Sequence, residues 1–579
     1  MKLWSEKQKM TYTASEDFKK NMEAGFRYVD KTDILIPLLN AGHETTFFLR
    51  PRRFGKTLTL SMIRRFVEDT RDEKLNAENR DLFRGLKIME AGEKYTRQMT
   101  SYPVINLTLQ GVKGGSFDVA LDMLQNIISD AYGEKSYLLS SSALDEKEKS
   151  YFRRIRGLEE GNESTLGDFL MSLKRLTEFL RKDSGKRAVV LIDEYDVPLE
   201  KAYQDGYYSS MVSVIGPLLQ NMLKTNSENL QFAVVTGCLR IAKEGIYTGL
   251  NNPEINTVLT QGKNDYIGFT EEEVRNLLTE SGVRDHFDEV REWYDGYRFG
   301  DSKIYNPWSV IKHIEALNRT SSAYPLTYWA NTSGNAIIRE LAERADKETR
   351  EKIEQVMQGE EICFSLQDNI VYSELYNNSD NVLNVMLSAG YLTATAFDGE
   401  AIRARIPNLE VHKIYKKQIG DWFRESVKTF DARALYAAFE QGDSAKVEQI
   451  LTDEFMAAMS YYDTVEAFYH GIMLTLMQLN QNYICISNRE SGNGRFDVVA
   501  KQLTRWELAF ILEVKVSDKV TDLLLDARVG AKQIAEKEYF KELQREGYEK
   551  IMCYGISFCQ KRCRVVQGET YTVHGLSGH

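Results

Sequence analysis

Thr45-Thr46-Phe47-Phe48-Leu49-Arg50-Pro51-Arg52-Arg53-Phe54-Gly55-Lys56-Thr57 is the stretch that decides the fold. Its first five residues are β-branched, aromatic or aliphatic throughout, the texture of a strand covered on both faces. Pro51 and Gly55 mark a turn. Beyond it, Leu58, Met62, Ile63, Phe66 and Val67 recur at helical spacing. Strand, tight loop, helix is the geometry that cradles phosphates, because backbone N–H groups and a helix N-terminus converge on the loop. In such a loop the lysine reaches the β- and γ-phosphates and the hydroxyl binds Mg²⁺. Arg52, Arg53, Phe54, Gly55, Lys56 and Thr57 are therefore candidate nucleotide ligands, with Thr57 a candidate metal ligand. One feature departs from the usual GxxxxGK[ST] spacing. The first glycine, which normally permits a tight turn, is Arg50 here.

Further along, Ala188-Val189-Val190-Leu191-Ile192 is an apolar run that ends in Asp193-Glu194. A buried strand of this kind delivers Asp193 to the edge of the sheet, where it can hold Mg²⁺, and Glu194 can polarise an attacking water. A strand from Gln231 ends at Thr236-Gly237-Cys238-Leu239-Arg240, and Thr236 is placed to sense a γ-phosphate. Arg52, Arg53 and Arg240 are candidates for stabilising transferred charge.

The surrounding texture predicts an α/β protein in three parts. Residues 1–300 alternate β-like runs (Thr45–Leu49, Val104–Leu109, Ala188–Ile192, Phe232–Thr236) with amphipathic helices, which predicts a parallel-sheet P-loop domain. Residues 301–440 read as a helical connecting domain. Residues 441–579 return to α/β character, with helices at 443–458 and 464–480 and strands at Tyr483–Ser487, Phe496–Ala500, Ala509–Val516 and Ile551–Phe558.

The motifs also carry a resemblance. Tyr28-Val29-Asp30-Lys31-Thr32 followed by Arg50-Pro51-Arg52-Arg53-Phe54-Gly55-Lys56-Thr57 resembles the AAA-ATPase-like family of bacterial proteins, in which an RPRRFGK[ST] loop is the ordinary form. Leu191-Ile192-Asp193-Glu194-Tyr195-Asp196, Trp293-Tyr294-Asp295-Gly296-Tyr297 and Tyr305-Asn306-Pro307-Trp308 extend the likeness over the first 310 residues or so. It implies ATP as ligand, with hydrolysis a step beyond binding.

Near the C-terminus, Asp497 and then Glu513-Val514-Lys515 sit within apolar strand-like runs. Alternation puts Glu513 and Lys515 on one face, and a hairpin of suitable register adds Asp497. Two carboxylates there suit Mg²⁺ or Mn²⁺, which would polarise a phosphodiester, with Lys515 orienting water or meeting developing charge. The alternative reading is a surface Glu/Lys pair. The region resembles the PD-(D/E)XK nuclease superfamily, with Phe496 in place of the proline. That resemblance implies that Asp497, Glu513 and Lys515 are the catalytic core, Glu466 an accessory metal ligand, and Gln533 a helix residue facing the site.

Composition narrows the field. The net charge of −11 excludes a wholly basic nucleic-acid binder, though a local channel remains open. Six cysteines in 579 residues make no disulfide framework. Cys553, Cys559 and Cys563 lack a CxxC pair or nearby histidine, against zinc. With no apolar leader or membrane-length run, a cytoplasmic protein without a membrane partner is expected. The leading expectation is an ATP-dependent, metal-dependent nuclease whose partners are ATP and nucleic acid, DNA ahead of RNA. A nucleotide switch with a binding-only nuclease fold is the alternative, and an ATPase that remodels protein is a third. Sequence leaves the oligomeric state open, a homo-oligomer included.

Overall fold

A computed structural model describes residues 15–25, 28–40, 45–158, 164–240, 253–262, 264–329, 347–357, 359–367, 374–375, 378–415, 432–458, 466–480, 482–487, 490–491, 494–495, 497–503, 507–559 and 562–572. The chain divides into two compact units, residues 1–349 with 359–414, and residues 350–358 with 415–579.

In the first unit, β1 (Thr45–Leu49), β2 (Val104–Thr108), β3 (Ala188–Asp193), β4 (Leu230–Gly237) and β5 (Glu254–Asn256) form a parallel sheet in the order β2-β3-β4-β1-β5. Every residue of β1 and β3 is buried, which accounts for the apolar runs at residues 47–49 and 188–192 within them. The order places β4 between the strand that feeds the loop at Arg50 and the strand that ends at Asp193. Register aligns their carboxyl ends, with Leu49 opposite Gly237 and Ile192 opposite Val235. Side chains beyond the ends of neighbouring strands therefore share one crevice. The helix Lys56–Val67 buries Leu60, Met62, Ile63, Phe66 and Val67.

The stretch expected to be helical, 301–440, contains strands as well. A hairpin that straddles its start pairs β6 (Tyr297–Phe299), just before it, with β7 (Ser302–Ile304). β8 (Ile362–Ser365), β9 (Thr393–Phe397) and β10 (Ala401–Arg405) form an antiparallel sheet in the order β8-β10-β9. These strands span four or five residues each, too few for a period of two to stand out from helical patterns. Gly390, at φ +89°, lies against the loop that follows β1: a Cβ there would come within 2.7 Å of the Pro51 side chain.

In the second unit, β11 (Tyr483–Ser487) is followed by the short strands β12 (Glu490–Ser491) and β13 (Gly494–Arg495). Then come β14 (Val498–Gln502), β15 (Leu508–Val516), β16 (Lys550–Cys559) and β17 (Arg562–Thr572). The main sheet runs β11-β14-β15-β16-β17, with β15 and β16 parallel and the other pairs antiparallel. The helix Leu523–Glu536 makes the crossover between β15 and β16. Tyr436, Phe439, Phe510 and Tyr554 share its core. β17 leaves little trace in the sequence pattern. Among the described residues it is an edge strand paired with β16 alone, and its polar, half-exposed residues hide it. Cys553, Cys559 and Cys563 are buried free thiols. No helix among the described residues is long and apolar enough to cross a membrane.

Candidate nucleotide and metal sites

The backbone explains why Arg50 replaces a glycine. Positive φ falls at Arg53 (69°) and Gly55 (94°), and Arg50 is not among the left-handed residues. Its side chain is buried and knits the loop to distant segments. Nη1 donates to the Leu49 carbonyl (2.9 Å) and the Asn256 carbonyl (2.8 Å), and Nη2 donates to Asn264 Oδ1. The guanidinium lies 5.0 Å from the centre of the Phe299 ring. Burial pulls its pKa down to about 9.

Lys56 is 5% exposed, and its Nζ donates to the carbonyls of Arg50 (2.9 Å) and Pro51 (3.0 Å). Thr57 Oγ1 donates to Asp193 Oδ2 at 2.6 Å, and Asp193 Oδ1 accepts from Thr236 Oγ1. Residues that follow or end β1, β3 and β4 thus meet at one buried carboxylate. A hydroxyl and a carboxylate so placed form the hard-oxygen donor set that suits Mg²⁺. Glu194 follows with φ +54°, left-handed for a residue with a Cβ. Burial raises its pKa, with Lys56 opposing the shift.

The next two residues brace the site. Tyr195 N–H donates to the Thr236 carbonyl (3.1 Å), and its hydroxyl to the Leu239 carbonyl (2.5 Å). Asp196 Oδ2 accepts from the N–H groups of Cys238 (2.7 Å) and Leu239 (2.9 Å). This clasp fixes the end of β4, and with it Thr236.

A cavity of about 190 Å³ opens over the loop. Gly55, Lys56, Thr57, Gln110, Lys113 and Glu194 supply its polar lining; Tyr28, Val29, Phe269, Leu277, Trp308 and Ile311 supply apolar and aromatic surface. That division fits phosphates and a base. Lys31 anchors the Tyr28–Val29 wall, donating to the Asp265 carbonyl and to Glu273, both at 2.7 Å. Asn306 caps the helix Pro307–Arg319 by accepting from Trp308 N–H at 3.0 Å, which sets the tryptophan in the wall. No sequence motif marks Gln110 or Lys113, and the motif Tyr305-Asn306-Pro307-Trp308 carries a likeness without giving Trp308 a role at the cavity. Among the residues that the motifs do mark, Arg52 also lines the cavity but is paired with Glu200 at 2.6 Å, and the Phe54 ring is buried edge-on to Tyr297, centroids 4.9 Å apart. Arg240 lines a different cavity.

In the second unit, Val498 pairs with Leu512, and the same antiparallel register continued by one residue sets Asp497 opposite Glu513. Asp497 Oδ2 accepts from Val514 N–H at 2.8 Å. Glu513 is 2% exposed, and its Oε1 accepts from Lys515 Nζ (3.1 Å) and Gln533 Nε2. His470 Nε2 lies 2.6 Å from the Asp497 carbonyl, to which it donates. Asp497, Glu513, Lys515 and Gln533 are therefore gathered at one place. Two carboxylates beside a lysine fit a divalent cation chemically. The side chain of Glu466 lies outside the described residues. Among the described residues, no group of three or more His, Cys, Asp or Glu side chains is arranged to hold a metal.

Two family models match stretches of the chain that hold these residues. The family model described as "Predicted AAA-ATPase" matches residues 13–247, which hold Lys56, Thr57, Asp193 and Thr236. The PD-(D/E)XK nuclease superfamily model matches residues 464–568, which hold Asp497, Glu513, Lys515 and Gln533. The chain carries an AAA-ATPase-like domain and a PD-(D/E)XK nuclease-superfamily domain. The aromatic wall of the ATPase-like cavity from Phe269 to Ile311 lies beyond the matched span. An uncharacterized protein in the vnfD 5′ region of Azotobacter chroococcum mcd 1 is 26% identical over 400 residues, which are 67% of this chain. The chain spans 65% of that relative's length.

Proposed function

We propose that the AAA-ATPase-like domain binds and hydrolyses Mg²⁺-ATP and that the nuclease-superfamily domain cleaves DNA with Mg²⁺ or Mn²⁺. The observation that supports the first half most is the meeting of Thr57, Asp193 and Thr236 beside Lys56. In this reading Lys56 binds the β- and γ-phosphates, and Thr57 and Asp193 hold Mg²⁺. The metal neutralises phosphate charge when bound. Gly55 and Thr236 face the phosphates of bound ATP, Arg53 at the loop waits for charge that develops on the transferred group, and Arg52 and Phe54 shape the loop. Glu194, its pKa raised by burial, accepts the proton of the attacking water.

The second half is supported by Asp497 and Glu513 sharing an edge with Lys515. Asp497, Glu513 and the accessory Glu466 would hold the cation, and Lys515 would orient the attacking water or meet the charge on the phosphate. A cation so held would lower the pKa of a water and polarise the phosphodiester. Residues 1–300, 301–440 and 441–579 would serve as ATPase, connector and nuclease in a cytoplasmic protein that acts in defence against mobile DNA or within mobile elements.

The test is cleavage of single- and double-stranded DNA by the full chain with Mg²⁺ or Mn²⁺, with and without ATP. Glu513→Ala should abolish cleavage and leave DNA binding intact. Wild-type chain that binds DNA and never cuts it would instead favour a nucleotide switch with a binding-only nuclease fold. Lys56→Ala reads coupling: if its cleavage equals that of wild type with and without ATP, nucleotide does not gate the nuclease.

A further inference from the structure

Four arginines stand beyond the ends of β1 and β4, and their environments separate them. Arg50 is committed to two backbone carbonyls and Asn264. Arg52 is held by Glu200 at 2.6 Å, with both side chains mostly buried. Arg240 lines a cavity with Ile255, Val258 and Phe397 rather than the one over Lys56. Arg53 differs from all three. It lines the cavity with Lys56, Thr57 and Glu194, and its side chain is 37% exposed.

Its contacts are of the kind that release easily. The guanidinium rests 4.5 Å from the centre of the Trp308 ring, and Glu16 is 3.5 Å away with its side chain 55% exposed. Exposed cation–π contacts and surface ion pairs are both weak. The backbone points the same way. Arg53 has φ +69°, a conformation that glycine adopts without strain and arginine does not. Strain of this sort persists where the surroundings fix it, and it clusters at ligand clamps.

We infer that Arg53 is the residue that meets the charge developing on the transferred phosphoryl group, supplied in cis from the nucleotide loop and parked on Trp308. This deepens the ATPase reading above and rests on it. In the step concerned, water adds to the γ-phosphorus while the bond to the β–γ bridging oxygen breaks. ADP departs with that electron pair, and the proton of the water passes to Glu194. Arg53 forms no covalent bond. Its planar fork donates to phosphoryl oxygens whose charge grows in the transition state.

Arg53→Gly tests this in the full chain, because glycine removes the guanidinium and also relieves the positive φ. ATP turnover, ATP affinity, affinity for ADP with aluminium fluoride, and Tm are measured together. Turnover should fall about 10³-fold or more. ATP affinity should stay within about threefold, tight binding of ADP–aluminium fluoride should disappear, and Tm should be unchanged or higher. Arg53→Lys, which keeps charge and loses the fork, should lose turnover about 10²-fold, and it decides the same question should the glycine variant not fold. Turnover within about threefold of wild type, or ATP affinity falling as far as kcat/KM, would overturn the inference. So would a wild-type chain that binds ATP and does not hydrolyse it. A wild-type chain that fails to bind ATP would overturn the ATPase reading itself.

Discussion

Replacing Glu410 by glutamine should stabilise the first unit at pH 8 and leave it nearly unchanged at pH 4.5. Glu410 is fully buried. Its oxygens accept from Ser309 Oγ at 3.0 and 2.8 Å and from Trp329 N–H at 2.9 Å. Burial outweighs these bonds and pushes the carboxyl pKa from 4.5 up to about 7. The folded carboxyl therefore binds its proton more tightly than the unfolded one. Its contribution to stability is fully present below pH 4.5, declines as pH rises, and is gone above about 7. At 1.36 kcal/mol per unit of pKa, the window is worth about 3 kcal/mol. Glutamine removes the charge and keeps the contacts, since its carbonyl can accept from Trp329 and its amide can donate to Ser309. Urea and thermal melts of both proteins at pH 4.5 and 8 measure the difference, which at pH 8 should reach about 1–3 kcal/mol, a few degrees in Tm. Glu194 and Glu200 also have raised pKa values, but they are common to both proteins and cancel. Equal stability of the two proteins at pH 8, or parallel pH profiles, would refute the reasoning.

Other substitutions probe the two sites. Arg50→Gly installs the residue of the general P-loop pattern, yet it should cost about 2–4 kcal/mol, because three acceptors lose their donor and a cavity opens. An unchanged Tm would show that the staple is dispensable. Asp196→Ala leaves the Cys238 and Leu239 N–H groups without their acceptor and should cost about 2–4 kcal/mol while slowing ATP turnover. Normal turnover would separate this clasp from catalysis. Asp497→Asn can still accept from Val514 N–H, so the fold should survive while metal-dependent cleavage falls about 10²-fold or more. Wild-type dependence on Mn²⁺ concentration in this variant would remove Asp497 from the ligand set.

The sequence is most readable where chemistry and local structure share a short segment. Lys56 and Thr57 open a helix whose apolar spacing is visible, and Asp193 ends a strand that is apolar throughout. The gap between Asp497 and Glu513 fits a hairpin, and the register sets the two residues opposite one another. Readability fails where function depends on distant partners. Arg50 looks like a defect until Asn256, Asn264 and Phe299 are seen around it. Asp196 stands in a family-like stretch that gives it no role, and only the return of β4 beside β3 shows what it holds. Gln110 and Lys113 come from a loop with no motif. Trp308 enters the cavity wall through a helix cap far along the chain.

Titration of full-length protein with ATPγS in the presence of Mg²⁺, followed calorimetrically beside Lys56→Ala, tests the nucleotide site most directly. A phosphate-binding Lys56 predicts saturable binding by the wild-type chain, weakened about 30-fold or more when the lysine is lost and weakened again when Mg²⁺ is withdrawn. Absence of binding, or equal affinity with and without the lysine, would contradict it.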